Sequence, residues 1–282
     1  MSKTRDQPER TGTAPSEAEI RPFSFGRNWE SFLQTSFTPE RLRIAKDHIL
    51  GFLEVPDLSG KYFLDIGCGS GLSSLAALDA GAERVVSFDL DPASVRASLS
   101  LRESVDHGGR WTVKEGSVLD KSFLSQLEPA DIAYSWGVLH HTGSMWEALR
   151  NAASLVGPNG CFYVALYLTT PKSSHWLRKK KVYNRSGVVK RRAMEYHYVF
   201  RHVLLPRLIR AQNPIRHIKQ YKDRRGMDFM TDIRDWLGGY PYEHASIKEV
   251  VQFCHKELGL NLENVEPTSG LVEYLFRPRL RD

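Results

Sequence analysis

Nine residues, Phe63-Leu64-Asp65-Ile66-Gly67-Cys68-Gly69-Ser70-Gly71, narrow the folds open to this chain. A short apolar run that empties into alternate glycines and then into a helix describes a strand, a tight turn and a ligand loop. Without Cβ atoms, such a backbone lets a ligand approach closely. The spacing is G-x-G-x-G, with Asp65 two residues ahead of Gly67. A dinucleotide loop reads G-x-G-x-x-G, so a nicotinamide cofactor is less well supported, and the absence of G-x-x-x-x-G-K-[ST] removes a P-loop. A second acid, Asp89, closes the run Val85-Val86-Ser87-Phe88, 18 residues after Gly71. A carboxylate there can accept both hydroxyl protons of a ribose diol. The competing reading is a glycine turn with a helix-capping aspartate.

The rest of the chain alternates in the same way. Strands are expected at Lys61–Ile66, Arg84–Phe88, Trp111–Lys114, Ile132–Trp136 and Cys161–Leu168. Helices are expected at Leu72–Ala80, Pro92–Glu103 and about Ser144–Leu155, with a turn at Pro158-Asn159-Gly160. A helix at Ser246–Leu258 and two strands, near Asn261–Val265 and Leu271–Phe276, close the pattern. This predicts an α/β fold: a doubly wound, mostly parallel sheet of seven strands. Five segments are expected: a disordered tail over 1–20, an N-terminal helical lid over 21–58, a cofactor-binding core over 59–170, a basic, mainly helical insert with an acceptor-site loop over 171–245, and a closing helix and strands over 246–282.

Charge marks the insert. From Lys172 to Arg225 there are 17 lysines and arginines against 2 acids, a balance of +15, which leaves −9 for the rest of a chain whose total is +6. Arguments about an anionic partner therefore concern that segment. Three cysteines far apart, Cys68, Cys161 and Cys254, suggest neither a disulfide framework nor a zinc site. No secretory signal or membrane-spanning run is visible, so a cytoplasmic setting is expected.

In these motifs the chain resembles the class I S-adenosylmethionine-dependent methyltransferases over about residues 60–168. Asp65, Gly67, Cys68, Gly69 and Gly71 look like that family's first motif, and Asp89 with Leu90 like its ribose-binding acid. Glu115-Gly116-Ser117-Val118-Leu119-Asp120 is similar to the motif that frames adenine, with Ser117 where many relatives carry aspartate. Asp131 to His141, with Ser135 and Trp136, looks like the motif at the mouth of the site. The stretch Ser135–Thr142 is most like the small-molecule branch that includes quinone-biosynthesis methyltransferases. Phe25, Asn28 and Trp29 resemble part of a narrower subgroup, as does the stretch from Arg225 to Glu243. The resemblance implies a Rossmann-like methyltransferase fold with S-adenosylmethionine as cofactor and S-adenosylhomocysteine as product. No metal is expected.

Methyl transfer asks mainly for positioning and a dry pocket, and a hydroxyl acceptor also asks for a base. His140 and His141, after the fourth strand, are the leading base candidates, with His140 preferred and Glu243 as a further one. Phe25, Asn28 and Trp29 are read as a lid over the cofactor. Arg225, Met227, Asp232, Trp236, Tyr240 and Tyr242 are read as lining the acceptor pocket, where aromatic faces beside carboxylates suit a sugar or another polyhydroxyl ring. The acceptor is expected to be a small molecule or glycan methylated on oxygen, phosphorylated acceptors included. The basic insert also fits a solvated face, an anion site or nucleic acid, so an RNA methyltransferase is one alternative. A cofactor-binding module without catalysis is another. The mixed stretch Arg201–Arg210 suggests an anionic membrane surface, an idea that Pro206 weakens by interrupting it.

Overall fold

The computed structural model describes Gly26 and residues 37–106, 108–219, 229–268 and 270–279. The sheet contains β1 (Tyr62–Ile66), β2 (Arg84–Asp89), β3 (Trp111–Glu115), β4 (Ala130–Trp136), β5 (Val156–Tyr167), β6 (Leu260–Pro267) and β7 (Leu271–Pro278). Their order is β3-β2-β1-β4-β5-β7-β6. Strands β3 to β5 across the sheet are parallel, while β7 runs antiparallel to both β5 and β6. Strand order reverses between β1 and β4, the switch point at which open α/β sheets leave a crevice beyond their C-terminal ends.

Side chains alternate across the strands. Leu64 and Ile66 of β1 join Val86, Phe88, Phe162 and Val164 on one face. That face is covered by α4 (Lys121–Leu124), α5 (Met145–Ala153) and α11 (Ile247–Glu257). Phe63, Val85, Tyr134 and Tyr163 line the other face, covered by α1 (Pro39–Leu53), α2 (Leu72–Asp79) and Leu101 of α3 (Pro92–Glu103). Caps fix the helix starts: Thr38 for α1, Asp91 for α3, and a reciprocal Ser246–Glu249 pair for α11.

Two local expectations are corrected. Pro158-Asn159-Gly160 does not separate a turn from a strand but lies inside β5. Ala130 pairs with Val156 and Ile132 with Cys161, so β5 bulges, and a Cβ at Gly160 would lie 2.6 Å from the Ala130 carbonyl oxygen. Pro206 does not interrupt the insert. Helix α7 (Val188–Tyr198) passes through a π-helical turn, Val199–Leu204, into α8 (Leu205–Ile209). The wider turn accommodates a residue with no backbone N–H and places Pro206 in the first turn of α8.

Before α7 lies α6 (Ser173–Arg185); after α8 come α9 (Pro214–Lys219) and α10 (Phe229–Gly238). Tyr183, Val199, Val203, Phe229, Ile233 and Leu237 form a core within these helices. No helix among the described residues is long and apolar enough to cross a membrane.

Candidate active site

The glycine loop leaves β1 with Gly67, Gly69 and Gly71 all at positive φ (78°, 53° and 80°). A Cβ on Gly67 would lie 2.3 Å from Val138 Cγ1, so a side chain is excluded there twice over. The Gly67 and Cys68 amides both donate to the Phe88 carbonyl. The Gly69 amide donates to Asp89 Oδ2 at 3.0 Å, and the Asp91 amide to Asp89 Oδ1 at 2.8 Å. Asp89 therefore orders the loop, and its remaining lone pairs leave room for hydroxyl donors. Burial raises its carboxyl above the usual range, against the pull of these amides.

Asp65 is buried behind the loop rather than beside it. It accepts from Ser74 Oγ at 2.5 Å; Ser74 lies 2.6 Å from Ser87 Oγ, which accepts from Trp111 Nε1 at 2.7 Å. Burial pushes Asp65 up to about 7 in spite of the Ser74 hydroxyl. Cys68 Sγ meets Ser98 Oγ, which donates to the Gly69 carbonyl. Ser135 is buried, its hydroxyl donating to the Ile66 carbonyl.

Leu90 and Trp136, at the ends of β2 and β4, are 66% and 40% exposed. The Ser117 hydroxyl accepts from the Leu119 amide, and the Val118 carbonyl accepts from Asn151. Gly26 is the described residue of the Phe25–Trp29 stretch. Its amide donates to Asp91 Oδ2 at 3.0 Å, and a Cβ there would collide with Ser94 N at 2.4 Å. Gly26 thus touches the start of α3, with Asp91 two residues from Asp89. Phe25, Asn28 and Trp29 themselves, with Arg225 and Met227, lie outside the described residues.

Beyond β4, His140 and His141 form a short 3₁₀ turn, Leu139–His141, and are held in opposite tautomers. His141 Nδ1 lies 2.6 Å from the Pro241 carbonyl oxygen. A carbonyl only accepts, so Nδ1 carries the proton and Nε2 the lone pair. His140 Nδ1 instead accepts from the Tyr167 amide at 3.3 Å, so its proton sits on Nε2, a buried atom with no hydrogen-bond partner among the described residues. Burial pushes His141 down to about 4, and burial first, then repulsion from the protonated forms of His141 and Lys180, holds His140 well below its ordinary value. Both rings are neutral at pH 7.

The Glu243 carboxylate accepts from the Met145 amide, 3.1 Å from each oxygen, at the first turn of α5. Its own amide donates to the His140 carbonyl. This engagement is that of a helix cap supplied from a distant loop. Burial raises its carboxyl.

Around the histidines the structure gathers a wall of rings. Tyr167 lies 3.9 Å from His140, 5.2 Å from Tyr242 and 6.2 Å from Trp236, centroid to centroid. Asp232 and Asp235 are near enough to raise the Tyr167 phenol, after burial itself. Tyr240 is half-buried at the exit of α10.

Two residues of this wall escape a reading of the sequence, Tyr167 and Lys180. Lys180 is 1% exposed on α6. Its ammonium donates to the Trp236 carbonyl and lies 4.4 Å and 5.0 Å from the Trp236 and Tyr242 ring centroids. Burial pushes it down to about 7, opposed by Asp235. The available signal is helical spacing: Ser173, Trp176, Lys180 and Tyr183 lie on one face of α6, and a lysine in a buried stripe calls for a reason.

Residues 36–225 match the family described as Methyltransferase domain (Methyltransf_23), which is more than half of the chain. The chain belongs to this family. The methyltransferase domain is of the class I, S-adenosylmethionine-dependent type, and the glycine cradle, Asp89 and the exposed Leu90 and Trp136 fit that cofactor.

Similar curated proteins include the ribosomal protein L11 methyltransferases of Photobacterium profundum, 37% identical over 114 residues, and Vibrio parahaemolyticus, 35% identical over 127 residues. These alignments span 39% and 43% of this chain but only 35% and 38% of the relatives, little more than a third of their length. Among solved structures, magnesium protoporphyrin IX methyltransferase from Synechocystis PCC 6803 with bound SAH has a TM-score of 0.55 at 13% identity, covering 90% of this chain and 94% of that one. An O-methyltransferase family protein from Burkholderia thailandensis has a TM-score of 0.51 at 13% identity, covering 84% and 57%. These two likenesses concern the fold. Among the described residues no group of three or more His, Cys, Asp and Glu is placed to hold a metal ion.

Proposed function

We propose that this chain methylates a hydroxyl oxygen of a ring-bearing, oxygen-rich small molecule or glycan. The observation that carries the reading is the tautomer split of the histidine pair. When bound, S-adenosylmethionine supplies the electrophilic methyl group. His141, held by Pro241 with its lone pair on Nε2, takes the proton of the acceptor hydroxyl as its oxygen attacks. His140, with its proton on Nε2, serves as a hydrogen-bond donor toward an acceptor oxygen. The Trp236 indole N–H is also buried without a partner among the described residues, and Lys180 adds a third donor at the same wall. A donor-rich wall of this kind suits a ligand rich in oxygen. The rings of Tyr167, Trp236 and Tyr242 exclude water. Phe25, Asn28 and Trp29 close over the cofactor in this reading, and Arg225, Met227, Asp232 and Tyr240 complete the acceptor side.

The test compares His141→Ala with His140→Ala, using methyl-labelled cofactor and a small-molecule extract of the source cell as acceptor supply. His141→Ala loses turnover by about 10²–10⁴-fold with cofactor affinity kept. If His141→Ala retains full turnover, His141 is not the base.

A protein acceptor is the second reading, favoured by the L11 methyltransferases among the relatives. It predicts label in protein rather than in small molecules.

A further inference from the structure

We propose that the outer face of α7 docks this chain onto an anionic lipid bilayer surface. The helix runs from Val188 through the π-helical turn to Ile209 and has two apolar sides. The inner one, with Val199 and Val203, packs against Tyr183 and Phe229. The outer one carries Val189, Ala193, Tyr196 and Phe200, spaced 4, 3 and 4 residues apart and so aligned along one stripe. Val189 is 85% exposed, Tyr196 65% and Phe200 54%. Leu208 and Ile209 of α8 and Ile215 of α9 are exposed apolar side chains as well.

Cations flank this stripe. On the helical wheel Arg192 falls on one side, and Lys190, His197 and Arg201 on the other. Lys172, Lys179, Arg201 and His197 also lie near enough to His202 to act on it, so basic groups from α6 and α7 converge. Between Lys172 and Lys222 the sequence holds one acid, Glu195. Glu195 is buried on the inner side, where it is bound by Tyr183, Arg192 and Arg234, so it offsets Arg192 but leaves no acid of this stretch on the outer face itself.

The pattern selects among occupants. An exposed apolar stripe with basic flanks matches a helix that lies in the plane of a bilayer, its apolar side among the acyl chains and its cations at the headgroups. A second copy of the chain would bring Lys190 and Arg201 against a surface of the same sign. Nucleic acid would use the cations and stack on Tyr196 and Phe200, but it has no use for the exposed aliphatic side chains of Val189, Leu208, Ile209 and Ile215, which suit acyl chains. Docking of this kind does not depend on the identity of the methyl acceptor.

The test is co-sedimentation of the full chain with vesicles of phosphatidylcholine alone and vesicles with about 30% phosphatidylglycerol. The chain is expected to bind the anionic vesicles about tenfold or more tightly than the neutral ones, and more weakly in high salt. Tyr196→Ser/Phe200→Ser is expected to lower that binding about tenfold while thermal unfolding and S-adenosylhomocysteine affinity stay unchanged, since both side chains are exposed. Lys190→Glu/Arg201→Glu lowers it as well. Equal binding to both vesicles, or no binding to either, overturns the proposal. So does anionic binding that survives the Tyr196/Phe200 change, because charge alone would then explain it. Loss of polyuridylate binding or of a dimer in the same variant, without vesicle binding, assigns the face to RNA or to a second copy instead.

Discussion

His141 Nδ1 sits 2.6 Å from the carbonyl oxygen of Pro241, 100 residues further along the chain. This contact ties the loop after β4 to the loop after α10 and fixes which ring nitrogen can accept a proton. Burial pushes His141 down to about 4, so its Nε2 stays unprotonated at neutral pH and is lost as a base only when the pH falls through that value. The acid limb of kcat/KM that belongs to His141 therefore falls well below the ordinary histidine value of 6.5. A pH–rate profile from 4 to 9 checks this.

Asp89 and Gly67 shape the cofactor loop in different ways. Asp89→Ala removes the acceptor for the Gly69 and Asp91 amides together with the carboxylate proposed to hold the ribose, and S-adenosylhomocysteine affinity is expected to fall strongly by calorimetry. Unchanged affinity would place the cofactor elsewhere. Gly67→Ala meets Val138 at 2.3 Å with φ at 78°, and should weaken the same affinity and lower Tm.

Lys180 gives stability a pH dependence of predictable sign. Its folded value near 7 lies below its ordinary 10.5, so between those values the unfolded chain holds more protons than the folded one, and stability rises with pH across that window. Lys180→Met removes the titrating group. Its Tm gain over the parent chain should be largest at pH 6 and shrink toward pH 10. A gain independent of pH would show that Lys180 does not titrate in that window.

Glu243→Ala strips the acceptor from the Met145 amide at the start of α5. A lost helix cap costs about 0.5–2 kcal/mol. Denaturant unfolding should show that loss in Glu243→Ala, and much of it should be recovered in Glu243→Gln, which keeps an acceptor oxygen. Recovery of stability with full turnover in Glu243→Gln would confine Glu243 to capping.

Much of the fold was legible because parallel strands buried on both faces announce themselves. Phe63–Ile66 and Val85–Phe88 are continuous apolar runs, and glycines at positive φ follow the first. Asp89 could be placed because it closes a strand. Asp65, beside the same glycines, turns inward to Ser74, Ser87 and Trp111, a network drawn from four separate elements that no local pattern displays. The two histidines were visible, but their tautomers were not, because the deciding partners are backbone groups at Pro241 and Tyr167. Pro206 misled for a related reason: a π-helical turn carries the chain past it, and that adjustment depends on the packing of Val199 and Val203.

The most direct test of the account is a transfer assay with methyl-labelled S-adenosylmethionine, the purified chain and an extract of the source cell, with products separated into RNA, protein, lipid and small-molecule pools. The account predicts label in the small-molecule or lipid-glycan pool, reduced by about 10²-fold or more with His141→Ala. Label confined to RNA or to protein would contradict it.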